Sequence, residues 1–202
     1  MYSRKTGLVL GFHGCEESLG LDIVSHTIKM KPSSNVYDWL GSGYYFWENS
    51  LSRAKEYINY KAKYPIPGKL PIKIPFVFGA VIDLQHCLDL TDYDNLVEVK
   101  EAHKFLIEAL SSAGYSIPKN KNVGTNKDLW LRDLDCAVIN TVHFLRKAAG
   151  LEPYDSVRGI FVEGKSLYKN AGFKSKNHIQ LCILNPNCIK GYFIPRKKEP
   201  FS

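Results

Sequence analysis

The chain has 202 residues, 45% of them apolar and 12% aromatic, with a net charge of +7. That length carries one domain with a full core, and the composition excludes the disordered and fibrous classes. No apolar run is long enough to span a membrane, and Leu8-Val9-Leu10 behind Arg4 and Lys5 is far too short for a secretory h-region, so a cytoplasmic protein with no membrane partner is expected.

The first expected element is a strand over Leu8–Phe12 that ends at His13-Gly14. Cys15–Met30 allows a short helix, closed by Lys31-Pro32-Ser33-Ser34. An aromatic strand over Tyr37–Phe46 carries the block Gly41-Ser42-Gly43-Tyr44-Tyr45-Phe46, whose alternation puts Tyr44 and Phe46 on one side and Tyr45 on the other. Ser50–Tyr60 has amphipathic helical spacing through Arg53, Ala54, Tyr57 and Ile58, with Asn49 or Ser50 as N-cap. Tyr60–Ile74, with three prolines and four lysines, predicts a loop. Phe76–Leu84 is nearly all apolar, the pattern of a strand covered on both faces, and Cys87–Leu90 leads to a turn.

Asn95–Ala113 has helical spacing, and Lys127–Ala149 predicts a longer helix capped by Asn126 and ended by Gly150. The last quarter returns to strands over Val157–Gly164, His178–Leu184 and Ile189–Ile194, with a turn at Asn185-Pro186-Asn187. The pattern is α+β, strand-rich at both ends with a helical middle.

The five cysteines, Cys15, Cys87, Cys136, Cys182 and Cys188, show no CxxC spacing, and the closest His–Cys pairs, His13 with Cys15 and His86 with Cys87, gather no other ligands, so no metal site is expected. Lysine and arginine concentrate at Lys119–Lys121, Lys165–Lys176 and Arg196–Lys198. Such a surface attracts phosphate polymers, which makes DNA or RNA a candidate partner; solvated loop lysines give the same count.

His13-Gly14 after a first strand, Gly-x-Gly-Tyr-Tyr-Phe leading into a helix with Ser50, Ala54 and Tyr57, the apolar strand Phe76–Val81 and a late strand beginning near His178 occur in that order. Together they resemble the ADP-ribosyltransferase superfamily, in its poly(ADP-ribose) polymerase-like branch that pairs a histidine and a tyrosine with a glutamate. The resemblance implies one domain over residues 1–202, with a split β-sheet core and a helical insertion at roughly 95–150. It implies NAD as substrate, no metal, and transfer of ADP-ribose to a macromolecule, nucleic acid being the leading acceptor. A small transferase of this kind is, by analogy, a toxin or defence effector, with an antitoxin or regulatory protein as a further candidate partner.

On that resemblance Gly14 offers its backbone to the nicotinamide carboxamide and His13 bonds the adenosine-side ribose. Tyr45 and Tyr57 pack the two faces of the nicotinamide ring, so His13, Gly14 and Tyr45 are expected to line one cleft. The family glutamate aligns with Gln180 or with His178, two positions earlier, so the charge that stabilises an oxocarbenium-like transition state is missing there. Glu163 is the first candidate to supply it and Glu48 the second. Arg158, inside an apolar strand, holds the NAD pyrophosphate or pairs with Asp155, Glu152 or Glu163. Two rival readings are a catalytically silent module that binds NAD or ADP-ribose, and an RNA 2′-phosphotransferase-like enzyme.

Overall fold

The computed structural model describes residues 7–65, 68, 70–122 and 128–197. Asn126, the expected helix cap, and Lys198 of the last basic run lie outside them. In chain order the described residues form β1 (Leu8–Glu16), α1 (Glu17–Val24), β2 (Tyr44–Glu48), α2 (Leu51–Lys63), β3 (Pro75–Asp83), β4 (Cys87–Asp89) and α3 (Tyr93–Ser112). Then come β5 (Asn120–Asn122), β6 (Leu129–Arg132), α4 (Asp133–Ala148), β7 (Ser156–Phe161), β8 (His178–Ile183), a 3₁₀ turn at Pro186–Cys188 and β9 (Ile189–Phe193).

Seven strands make one mixed sheet in the order β4-β7-β8-β2-β1-β3-β9, parallel only between β4 and β7. The fold is α+β. β1 and β3 pair over nine residues, from Leu8–Asp83 to Glu16–Pro75, whereas β1 and β2 pair only at Gly11–Glu48 and Phe12–Trp47. The sheet is therefore almost parted between β1 and β2, and the edge of β1 facing β2 has no ladder partner at His13 and Gly14.

Side-chain alternation divides the core in two. Cys15, Phe46, Phe78, Ile82, Leu181 and Ile183 pack on the face that α1 covers with Ile23. On the other face α2 lays Ala54 and Ile58, one helical turn apart, on Phe12, Trp47 and Val77. Beside it α3 and α4 bring Ala102, Val138, Ile139 and Val142 onto Leu88, Val157 and Cys182. β3 buries residues on both faces, as its continuous apolar run predicts.

One expectation is corrected and a second refined. The helix expected from Lys127 begins only at Asp133, because Leu129–Arg132 is extended and pairs antiparallel with Asn120–Asn122. The helix start is capped from that neighbouring strand: Asn120 Oδ1 accepts from the backbone N–H groups of Leu134 (3.1 Å) and Asp135 (3.2 Å). At its far end Gly150 takes φ 66°, the left-handed conformation expected of a C′ glycine. The second point is Cys87–Asp89, which leads to the expected turn at Leu90–Thr91 but is itself a short strand that pairs with Ser156–Arg158, far off in the chain. The aromatic strand is also shorter than expected, beginning at Tyr44 instead of Tyr37.

Candidate active site

β8, β2 and β1 lie side by side, so the three sequence blocks that carry the resemblance meet in the middle of the sheet. Trp47 stands opposite Gln180 and Tyr45 opposite Cys182 on β8, while Gln180 stands opposite Gly159 and His178 opposite Phe161 on β7. Residues paired in this way share a face. Tyr45, Trp47, His178 and Gln180 therefore all look toward the α2–α3–α4 side.

His13 does not join them. Its ring packs against Phe46 (5.9 Å) and Phe78 (5.4 Å) on the α1 side, opposite to Tyr45, so the expectation that both side chains face one cleft is not met. What connects them is a 2.7 Å hydrogen bond from His13 Nδ1 to the Tyr45 carbonyl, made where the β1–β2 ladder has stopped. A carbonyl can only accept, so Nδ1 carries the proton; burial lowers the pKa of the ring and keeps it neutral.

Gly14 has a structural reason to be glycine. A Cβ there would stand 2.8 Å from Ile58 Cβ and 3.2 Å from the Ala54 carbonyl, so it is α2 that needs the close approach. The Tyr45 hydroxyl is spent on the Gly-x-Gly turn: it accepts from Leu40 N (2.8 Å) and donates to Gly41 O (2.7 Å), and burial raises its pKa far above the usual range. Tyr57 lies instead against Trp47, with ring centroids 4.8 Å apart.

Arg158 and Glu48 occupy the α1 side and are consumed by one another. Arg158 Nε and Nη2 fork onto Glu48 (2.6 and 3.2 Å), and Nη1 reaches Asp89 (3.3 Å). Asp89 also accepts from Thr91 N and Oγ1. The partners considered from sequence, Asp155, Glu152 and Glu163, are not the ones Arg158 has; its guanidinium has no fork left for a pyrophosphate.

Glu163 is on the other side and is 3% exposed. It follows β7, next to the start of β8, and meets Arg53 of α2 at a loose 3.5 Å. His178 Nδ1 lies 3.9 Å from the same carboxylate but donates to Lys176 O at 2.7 Å, which leaves His178 Nε2 as an acceptor. Burial raises the Glu163 pKa against the pull of Arg53, and burial lowers His178 to about 4.

Four side-chain polar atoms in this region are buried without a hydrogen-bond partner: Glu163 Oε1, His178 Nε2, Arg53 Nε and Trp47 Nε1. The only other such atom among the described residues is His143 Nε2 on α4. A buried orphan costs on the order of 1–3 kcal/mol, so two acceptors and two donors in one region mark it as the candidate ligand site. The surround is aromatic. Arg132 lies over Trp39 (4.5 Å) and Phe161 (5.0 Å), Phe161 stacks on His178 (5.5 Å), and Trp39 Nε1 donates to Trp130 O. At the outer edge Glu56 pairs with Arg53 and with Lys176, and Lys176 also lies over Tyr60.

Sequence reasoning named Glu163, His178, Gln180 and Tyr57 but missed Arg53, Trp47, Trp39 and Arg132 as members. For Arg53 a signal existed: it is a cation in the buried-stripe spacing of α2, next to Ala54. Among the described residues no group of three or more His, Cys, Asp or Glu is placed to hold a metal ion, and no helix is long and apolar enough to cross a membrane. Comparison with known families, curated proteins and solved structures finds no match to this chain.

Proposed function

We propose that the chain binds NAD over the α2 side of β2 and β8 and acts as an ADP-ribosyltransferase of the split-sheet type, with Glu163 supplying the carboxylate that Gln180 does not. One observation carries this reading: a buried, partly unpaired carboxylate sits beside His178, at the strand start where the resemblance puts its glutamate. Glu163 Oε1 and His178 Nε2 offer two adjacent acceptors, which suits a ribose diol. Arg53 Nε and Trp47 Nε1 offer donors. The near-parted β1–β2 junction and the adjacency of the three motif strands support the same reading.

In the reaction the nicotinamide–ribose bond breaks, nicotinamide leaves with the bonding pair, and an acceptor nucleophile takes the ribose carbon and gives up its proton. Glu163 offsets the positive charge that grows on the ribose. Gln180, half-buried between Trp47 and Gly159, orients a hydroxyl. The ring contact falls to Trp47 and Tyr57 rather than Tyr45. His13 is a positioning residue, acting through the Tyr45 carbonyl. Lys165, Lys169, Lys174 and Lys176, with exposed Tyr168 and Phe173, lie in the segment between Glu163 and β8, which favours a nucleic-acid acceptor.

The test is incubation with labelled NAD and a mixture of DNA, RNA and protein, following nicotinamide release and label transfer. Wild type should transfer label to one polymer, and Glu163→Gln should lower nicotinamide release by about 10²–10³. Unchanged release in that variant removes Glu163 from the mechanism. A second reading, the silent NAD or ADP-ribose module, is favoured by the neutral Gln180 at the position the resemblance gives to a glutamate. Calorimetric NAD binding without nicotinamide release, together with release gained in Gln180→Glu, would establish it.

A further inference from the structure

β4 pairs with β7 only as far as Arg158, with Leu90 N–H adding one more bond to the Arg158 carbonyl at 2.8 Å. Gly159–Phe161 is therefore a sheet edge that no strand among the described residues covers, and α3 and α4 pass beside it without filling the space. A cavity of about 410 Å³ remains there, within the range of small-ligand sites. Leu96 and Val99 of α3 and Leu134 and Val138 of α4 line it, together with Trp39 and Phe161.

The cavity has a sign. Two cations border it, Lys100 of α3 and Arg132 at the end of β6, with the His103 imidazole beside them. The one acid, Asp135, is already held by Arg132 Nη1 at 3.3 Å and Asn120 Nδ2 at 2.7 Å. Arg132 lies flat on Trp39 and Phe161 with Nε fixed to Leu129 O, while its Nη2 makes no hydrogen bond among the described residues. A purine or pyrimidine would bring ring nitrogens and exocyclic groups that these aliphatic walls cannot pair. A hydrocarbon chain asks no hydrogen bond of the side chains of α3 and α4 and puts its charge at Lys100 and Arg132, with His103 beside them.

We infer that this cavity is a binding site for a medium-chain aliphatic carboxylate, its chain between α3 and α4 and its carboxylate at Lys100, His103 and Arg132. The inference does not require NAD chemistry, although Trp39, Arg132 and Phe161 border both the cavity and the Glu163 cluster. Because Phe161 both lines the cavity and stacks on His178, an occupied site would bear on the Glu163 cluster.

The experiment titrates the full chain with octanoate, decanoate and decanol below their aggregation limits, by calorimetry and tryptophan fluorescence. Decanoate is expected to saturate one site, octanoate to bind about fourfold weaker per methylene removed, and decanol to bind about tenfold weaker than decanoate. Lys100→Glu, at an exposed position, should weaken decanoate about threefold or more without changing decanol. Leu96→Trp, which fills the space from a half-exposed position, should abolish both. Equal affinity for decanoate and decanol, insensitivity to Lys100→Glu, or no saturable binding would overturn the proposal. Displacement of decanoate by NAD at matched stoichiometry would also overturn it, since the cavity would then be part of the NAD site.

Discussion

An arginine–carboxylate cluster stands on each side of the sheet, and the two are built differently. Glu48 of β2, Arg158 of β7 and Asp89 of β4 make up one, and Arg53 of α2, Glu163 after β7 and His178 of β8 the other. On the α1 side Arg158, Glu48 and Asp89 form a closed set: a bidentate fork, a second carboxylate, and a Thr91 hydroxyl and amide completing Asp89. On the α2 side Arg53, Glu163 and His178 touch loosely and leave three buried polar atoms without partners. A satisfied cluster holds strands together. An underpaired one of similar burial costs free energy unless something else completes it, and this marks Glu163 rather than Arg158 as the place to look for a ligand. Arginine in an apolar strand was the more conspicuous sequence signal, and it pointed to the structural cluster.

The largest effect should come from breaking the closed set. Arg158→Ala leaves two buried carboxylates facing each other without a cation, and is expected to lower unfolding free energy in urea by roughly 3–5 kcal/mol. It should leave NAD affinity of the folded fraction unchanged. Loss of NAD binding at full stability would reverse the two assignments.

The open set should show itself in pH dependence. His178 titrates at about 4 in the folded chain against 6.5 when exposed, so the unfolded chain takes up the proton first. Its contribution to stability is then complete above about 6.5 and is lost as pH falls toward 4, by up to roughly 3 kcal/mol. His143, also near 4, adds to that loss. The raised pKa of Glu163 works the other way, because protonating it relieves a buried charge. His178→Phe keeps the stack on Phe161 and should flatten the stability profile between pH 6.5 and 4 by its own share. A profile identical to wild type would mean that His178 is charged in the folded chain.

The smallest effect sharpens the contrast most. Glu163→Gln removes a charge that burial disfavours, and should change unfolding free energy by less than about 1 kcal/mol or raise it. A loss in thermal or urea unfolding as large as that of Arg158→Ala would make the Arg53–Glu163 contact structural and end the distinction between the two sides.

By itself the sequence determined the elements and the faces of its long ones. Alternation in Tyr44-Tyr45-Phe46 gave opposite directions that the core clusters bear out, the unbroken apolar run of β3 meant cover on both faces, and Ala54 and Ile58 marked the buried stripe of α2. These are local properties, fixed by backbone periods of 2 and 3.6. Only tertiary structure decided the rest. The three-residue strand β4 exists because β7 lies next to it, and α4 starts at Asp133 because Asn120 caps it from across a strand pair. His13 and Tyr45 came out on opposite faces because face follows register, and register between two strands 30 residues apart is not written in either one. Glu163, His178 and Arg53 could each be seen in the chain. That two acids of similar appearance, Glu48 and Glu163, end with one fully paired and the other partly orphaned is a property of which side of the sheet each occupies and which arginine meets it there.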